Sequence, residues 1–221
     1  MMKKPLTLSL LLLTLSLPAL QGCIPAVIAT GAAVGVMSIH DRRSTGTQTD
    51  DQGTEWKAGA AVPEAVKANS RVNFTSYNRR LLITGEVPNE AAKATVESEA
   101  RKIIGVREIY NELGIGPVSP LSSRSNDSFI DSKVKARLVD SNQVSANHIK
   151  VVTERGITHL MGIVTEREAK VAISVARTTA GVRKVVNLME VLPDAEIQRL
   201  ETQALGARRE TAPAATPVEN R

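Results

Sequence analysis

The chain holds one cysteine, Cys23, and three histidines, His40, His148 and His159, so nucleophilic, acid–base and metal chemistry have few side chains to start from. A lone thiol has no internal partner for a disulfide. Cys23 follows Leu20-Gln21-Gly22 at the end of an apolar run. No His-x-x-x-His and no cysteine-rich ligand spacing occurs, which argues against a metal site. Carboxylates are plentiful, but they fall on the polar faces of expected helices with no apolar enclosure to shift them. Neither Gly-x-Ser-x-Gly nor a Walker-type loop is present. No enzymatic activity and no cofactor are expected. One constellation remains: Phe129, followed by Lys133, Lys135 and Arg137. An aromatic ring with cations along the next two turns suits a helix lying at a lipid headgroup boundary, ring inward and cations on phosphate. The same residues also describe a ring packed in a core beside a solvated basic face, and from the residues alone both readings stand.

The address of the chain is written ahead of Cys23. Lys3 and Lys4 precede an apolar stretch from Leu6 to Leu17, which closes at Pro18-Ala19-Leu20-Gln21-Gly22. That run is too short to span a bilayer and has the layout of a cleaved secretory signal. Leu-x-Gly-Cys resembles the lipobox of bacterial lipoproteins, whose cysteine is lipidated and becomes the new N-terminus; here that residue is Cys23. Gln21 stands where that motif usually has a small residue. Ile24 rather than Asp follows Cys23, which by the same resemblance favours the outer membrane over retention at the inner one.

Removing residues 1–22 leaves a chain long enough for one medium domain or two small ones. Aromatic residues are scarce, with one Trp, two Tyr and two Phe. The core must therefore be built from Ala, Val, Ile and Leu, which suits small α+β units with close helix–sheet contact. Net charge is +5 over the whole sequence. Residues 51–116 balance nine basic against nine acidic side chains, whereas residues 125–193 carry ten against seven. Contact with a membrane or polyanion is biased toward the second half. Nucleic acid is not an expected partner, because the excess charge is small and aromatic stacking platforms are missing.

Two segments repeat each other, and they supply the elements that hold these residues. Gly85 and Gly162 are 77 apart, as are Val72 and Ile149, while Gly105/Gly181 and Asn111/Asn187 are 76 apart. A slip of one residue across a helix is the mark of a duplicated unit. Each copy reads as strand, turn, strand, helix, strand. Val72/Phe74 and Ile149/Val151 alternate with polar residues, as in half-buried strands. Gly85 and Gly162, inside the second strands, point to a close backbone approach. Pro88-Asn89 starts the first copy's helix, and Thr165-Glu166-Arg167-Glu168 forms a capping box for the second. Ala92, Val96, Ala100 and Ile103, and likewise Ala169, Ala172, Ile173 and Ala176, make the apolar stripes.

Ahead of the second copy, Asn126-Asp127-Ser128 is expected to cap a leading helix over 129–141, with Ile130, Val134 and Leu138 on one face. The matching stretch 52–66 contains Gly53, Gly59 and Pro63, so the first copy's leading helix is expected to be degenerate, short or absent. The expected boundaries are a signal peptide 1–22, a flexible tether 23–50, a first domain 51–116, a linker 117–124, a second domain 125–193 and a disordered tail 194–221.

Two αββαβ units with Leu/Ile-x-Gly-x-Val at the second strand resemble BON domains. From Cys23 to about Leu192 the chain resembles the dual-BON outer-membrane lipoproteins of the DolP type, most specifically at Asp41-Arg42-Arg43-Ser44-Thr45-Gly46, Asn126-Asp127-Ser128-Phe129 and Met161-Gly162-Ile163-Val164-Thr165. The resemblance implies an α+β fold of two tandem small domains, each with helices packed on a three-stranded mixed sheet. It also implies a lipid-anchored protein that faces the periplasm, binds anionic phospholipid and supports envelope integrity. Lipid contact in that family lies on the leading helix of the second domain. Phe129 stands where the family usually has Trp, and Phe129, Ile130, Lys133 and Arg137 are the expected phospholipid-binding residues. Phosphatidylglycerol and cardiolipin are the expected partners. The alternative is a protein-interaction adaptor of the envelope without direct lipid recognition.

Overall fold

A computed structural model describes residues 41–211, with side chains as far as Gln203. Cys23 and His40 lie outside the described residues, as do the signal and most of the expected tether. The first unit runs α1 (Thr45–Ala61), α2 (Glu64–Lys67), β1 (Arg71–Tyr77), β2 (Arg80–Val87), α3 (Glu90–Arg101), β3 (Glu108–Asn111) and β4 (Gly114–Ile115). The second runs α4 (Leu121–Ser141), a single 3-10 turn (Ala146–His148), β5 (Ile149–Glu154), β6 (Ile157–Val164), α5 (Glu166–Arg177), β7 (Lys184–Asn187) and β8 (Glu190–Val191). A last helix, α6 (Asp194–Thr211), closes the described chain.

Each sheet is organised around its second strand. β2 pairs antiparallel with β1 and parallel with β3, and β6 does the same with β5 and β7. The expected three-stranded mixed sheet gains a two-residue fourth strand, β4 or β8, which extends the parallel edge. The parallel pairing needs a crossover helix, and α3 and α5 supply it. Asn89 caps α3 by accepting from the Ala92 amide, and Thr165 with Glu168 forms the expected capping box on α5. A Cβ on Gly85 would lie 1.9 Å from the Arg71 carbonyl oxygen, and one on Gly162 2.3 Å from that of His148. The close approach is therefore to the neighbouring strand's backbone at its entry, where no side chain fits.

The alternation of β2 and β6 sorts the protein into four layers. Leu81, Ile83 and Val87 face α1 and α3 in one core, while Leu160 and Val164 face α4 and α5 in another. Leu82 on one sheet and Met161 and Ile163 on the other point inward to a third core, with Tyr77, Leu188 and Ile197. The order is helix, sheet, sheet, helix. Full burial of each large side chain in that junction contributes roughly 1.5–3 kcal/mol. The two domains thus pack through their sheets and leave α1, α3, α4 and α5 outside, while α6 reaches into the junction.

Several boundaries differ from the expectation. The leading helix of the first domain is complete: α1 spans 17 residues, capped by Ser44, and buries Asp51, Thr54 and Ala58. Gly53 and Gly59 face open space, and Pro63 falls beyond the last turn, where Val62 is already extended. A cost of about 1 kcal/mol per glycine is offset by packing on β1. Residues 41–50 therefore belong to the fold rather than to the tether. The linker 117–124 is folded too, since α4 begins at Leu121 and Ser119 is buried against Glu86. Asn126-Asp127-Ser128 lies inside α4 and does not cap it. Nor is the start of the tail disordered: α6 begins after Pro193 and buries Ile197 in the domain junction.

Candidate functional site

The leading helix of the second domain is positioned by its buried stripe. Asp127, Ile130, Val134 and Leu138 recur at three and four residues and lie against the sheet. Phe129, next to this stripe, turns outward and is 61% exposed. One turn on, the Lys133 ammonium sits 4.8 Å from the centroid of its ring and donates to the Ala180 carbonyl. A cation held over an aromatic face at this range is attracted by the ring quadrupole.

The four expected contact residues therefore separate. Phe129 and Lys133 form one outward-facing pair. Ile130 is a correction: it is 0% exposed in the core and packs where a Cβ on Gly181 would strike it. Its place on the buried stripe outweighs its neighbour's exposure, so it cannot touch lipid while the domain is folded. Arg137 lies on the same helix but is engaged with α5, donating to the Val175 carbonyl and to the hydroxyls of Thr178 and Thr179. It binds carbonyls left open at the end of a helix, a role that needs no ligand.

Asp127 does something the sequence reading missed. Its carboxylate accepts from the amides of Arg155 and Gly156, both at 2.9 Å, and so fixes the β5–β6 turn. In the first domain Asp51 accepts from the amides of Asn78 and Arg79 at the β1–β2 turn and from the Ser76 hydroxyl. The two acids are 76 apart, the spacing already found at Gly105 and Gly181, and this would have located α1.

The segment before α1 ties the domains together. Arg42 donates to both Glu168 oxygens on α5, to the Ile163 carbonyl and to Glu201 on α6. Arg43 turns the other way, pairing with Asp41 and Asp51, its guanidinium 3.9 Å above the Tyr77 ring. Burial works against the charge of Glu168, yet His148, Arg42 and the Thr165 amide hold its carboxyl well below the usual range. Between the sheets, Arg71 meets both Glu86 and Glu154, and burial pushes the Glu154 carboxyl up.

On the opposite outer face, α1 presents Trp56, 73% exposed, and the turn after α3 presents Ile104, 94% exposed. Among the described residues no helix is long and apolar enough to cross a membrane.

Two copies of a strand–strand–helix–strand unit, each led by a helix whose acid grips the hairpin turn, now have a family to be set against. Residues 50–117 and 126–193 each match the family model described as the BON domain. The chain belongs to the BON-domain family. Outer membrane lipoprotein DolP of Haemophilus influenzae is 40% identical over 175 residues, 78% of this chain and 90% of that protein. A 21 kDa hemolysin of Actinobacillus pleuropneumoniae is 34% identical over 151 residues, 67% of this chain and 78% of that protein. Osmotically-inducible protein Y of Escherichia coli is 24% identical over 162 residues, 72% of this chain and 81% of that protein. The dual-BON outer-membrane lipoproteins of the DolP type are thus the group in which this chain stands, and its place is the outer membrane. Within BON domain 2 the Phe129 ring stands out in solvent with the Lys133 ammonium over its face, an outward feature that the core does not use.

Proposed function

We propose that the protein is anchored by acyl chains on Cys23, faces the periplasm and binds anionic phospholipid headgroups through the middle of α4 in BON domain 2, supporting outer-membrane integrity. The observation that carries this reading is the exposed Phe129 ring with the Lys133 ammonium 4.8 Å from its centroid. An exposed aromatic ring gains by entering the headgroup boundary, and a cation beside an anionic surface is worth about 1 kcal/mol. Lys135, two residues on, is also exposed but lies on another side of α4 from this pair. Phosphatidylglycerol and cardiolipin supply the complementary charge. A tethered domain also needs little affinity, because the acyl anchor already holds it at the surface.

The test uses the whole mature chain with Cys23→Ser, so that binding reports the folded surface and not the anchor. Co-sedimentation with phosphatidylglycerol vesicles is expected to be salt-sensitive, and Phe129→Ala with Lys133→Glu is expected to abolish it. Unchanged binding by that double variant would remove α4 from the reading.

A second reading, an envelope adaptor that binds protein rather than lipid, is favoured by Trp56 and Ile104 on the outer face of BON domain 1. Large apolar side chains left in solvent on a fold with few aromatics are a common feature of protein contact surfaces. Crosslinking from position 56 that captures one dominant protein partner, with no lipid dependence, would support it.

A further inference from the structure

His159 enters the junction between the BON domains on β6 and is 1% exposed. Its Nδ1 lies 3.2 Å from the Val152 carbonyl oxygen. A carbonyl only accepts, so Nδ1 carries the proton, and in the neutral ring Nε2 keeps a lone pair. Among the described residues nothing donates to Nε2. Glu112 of BON domain 1 brings Oε2 to 3.7 Å from it, beyond hydrogen-bond reach and also an acceptor. Burial holds the imidazole below its ordinary pKa, although Glu112 opposes the shift. Two acceptors from two domains therefore face each other with no donor between them.

Both line a cleft of about 390 Å3 whose other wall is basic. Arg155, Arg183 and Lys184 line that wall, and among the described residues none of the three makes an ion pair. Glu154 also borders the cleft, but Arg71 neutralises it. The arginines are held close to glycine backbone. A Cβ on Gly114 would come 2.7 Å from Arg155 Nη1, and one on Gly156 2.8 Å from Arg183 Cδ. The site thus has an acceptor end and a cationic end.

We infer that this inter-domain cleft binds a small zwitterion carrying a phosphate ester and a primary ammonium group a short carbon chain apart. An ammonium has three donors and can give to His159 Nε2 and Glu112 together. Guanidinium forks match phosphate oxygens in pairs. A bare anion would leave the two acceptors unserved and meet the Glu112 charge, and a bare cation would meet three positive side chains. The cleft is separate from α4, so the inference stands whether or not Phe129 contacts lipid.

The test is a titration of the full lipidated protein, in a maltoside detergent and labelled with nitrogen-15 at histidine, followed by NMR. O-phosphoethanolamine, ethanolamine and inorganic phosphate are added in separate experiments. His159→Gln assigns the resonance, and calorimetry on the same samples gives affinities for variants. Phosphoethanolamine is expected to move the His159 Nε2 signal saturably and to bind at least about tenfold more tightly than either half, a difference of about 1.4 kcal/mol. Glu112→Gln is expected to weaken phosphoethanolamine and ethanolamine but not phosphate. Arg183→Gln is expected to weaken phosphoethanolamine and phosphate but not ethanolamine. Phosphate binding as tightly as phosphoethanolamine would overturn the proposal. So would a Nε2 signal that never moves, as expected if water alone bridges the acceptors. Displacement of the probe by micelles of lyso-phosphatidylethanolamine identifies a lipid headgroup as the source, and displacement only by soluble glycerophosphoethanolamine identifies a free solute. Phe129→Ala is expected to leave every one of these titrations unchanged, which separates this site from the α4 surface.

Discussion

The two BON domains share their outer cores and differ where they meet. At matched positions of the central strands, 77 apart, Leu82, Thr84 and Glu86 in the first domain stand against His159, Met161 and Ile163 in the second. Polar and apolar residues have changed places along the strand, and each set is buried. Two identical faces would have set acid against acid, whereas these meet as complements, with Arg71 inserted between Glu86 and Glu154. The outer faces diverge as well: α4 pairs Phe129 with Lys133, while α1 exposes Trp56 with no such clamp among the described residues. In this protein, divergence after duplication is concentrated at surfaces that meet something, and the helix–sheet cores are kept.

The sharpest way to break this comparison is to cut the segment that joins the domains. Arg42 has no counterpart ahead of α4 and holds α5, α6 and the end of β6 at once. Arg42→Ala removes a buried guanidinium and leaves part-buried Glu168 without its two-pronged ion pair, and a loss of up to about 3 kcal/mol is expected. Urea unfolding of the mature chain, followed by circular dichroism, measures it; a loss under 1 kcal/mol would show that the segment only rests on the fold. The hairpin acids come next. Asp51 serves two amides, a hydroxyl and Arg43, and Asp127 serves two amides. Unsatisfied buried donors cost about 1–3 kcal/mol each, so Asp51→Ala is expected to destabilise more than Asp127→Ala by at least one such increment. Equal losses in the same unfolding experiment would mean that the domains use their acids alike.

Much of this was legible in the sequence, and the remainder was hidden for identifiable reasons. The 76- and 77-residue spacings, the glycines inside β2 and β6 and the Thr165 capping box all stem from local geometry, which a short window reveals. The junction was not legible, because a strand buried on both faces loses its alternation and Leu81-Leu82-Ile83 says nothing of which residue faces which layer. α1 was misjudged because glycines count against a helix in isolation, whereas Asp51, Thr54 and Ala58 stabilise it through contacts made only in the folded protein. The resemblance puts Ile130 among the lipid contacts, although its own spacing with Val134 and Leu138 already places it in the core. Asp127 passed for a cap because an Asn-Asp-Ser cluster suits a helix start, and only the hairpin, 28 residues away, reveals its role.

On the outer faces the comparison can be sharpened with lipid. Phe129→Ala is expected to weaken binding of the Cys23→Ser chain to phosphatidylglycerol vesicles by about tenfold, roughly 1.4 kcal/mol. Trp56→Ala is expected to leave it within about twofold, because α1 lies on the opposite face of the four-layer body and a flat membrane cannot reach both. Vesicle co-sedimentation at fixed salt decides. Equal losses would show that both outer faces engage lipid, and the functional difference between the domains would disappear.

The smallest expected effect concerns pH, and it too separates the domains. Glu168 on α5 has its carboxyl held well below the usual range, whereas its counterpart three residues after the cap of α3 in the first domain, 76 residues earlier, is Ala92. A carboxyl whose folded pKa is depressed contributes stability that is complete above its unfolded value, near 4.3, and is lost as pH falls through the folded value. The decline therefore belongs to the acid side, below about pH 4.3, and neutral conditions are expected to show none of it. Unfolding midpoints in urea at pH 6, 4 and 3 should fall more steeply for the native chain than for Glu168→Gln, which keeps the shape but cannot titrate. Parallel slopes would mean that the Arg42–Glu168 contact survives protonation through its hydrogen bonds alone. In that case the segment before α1 would bind BON domain 2 by shape and not by charge, and the domains would differ in packing only.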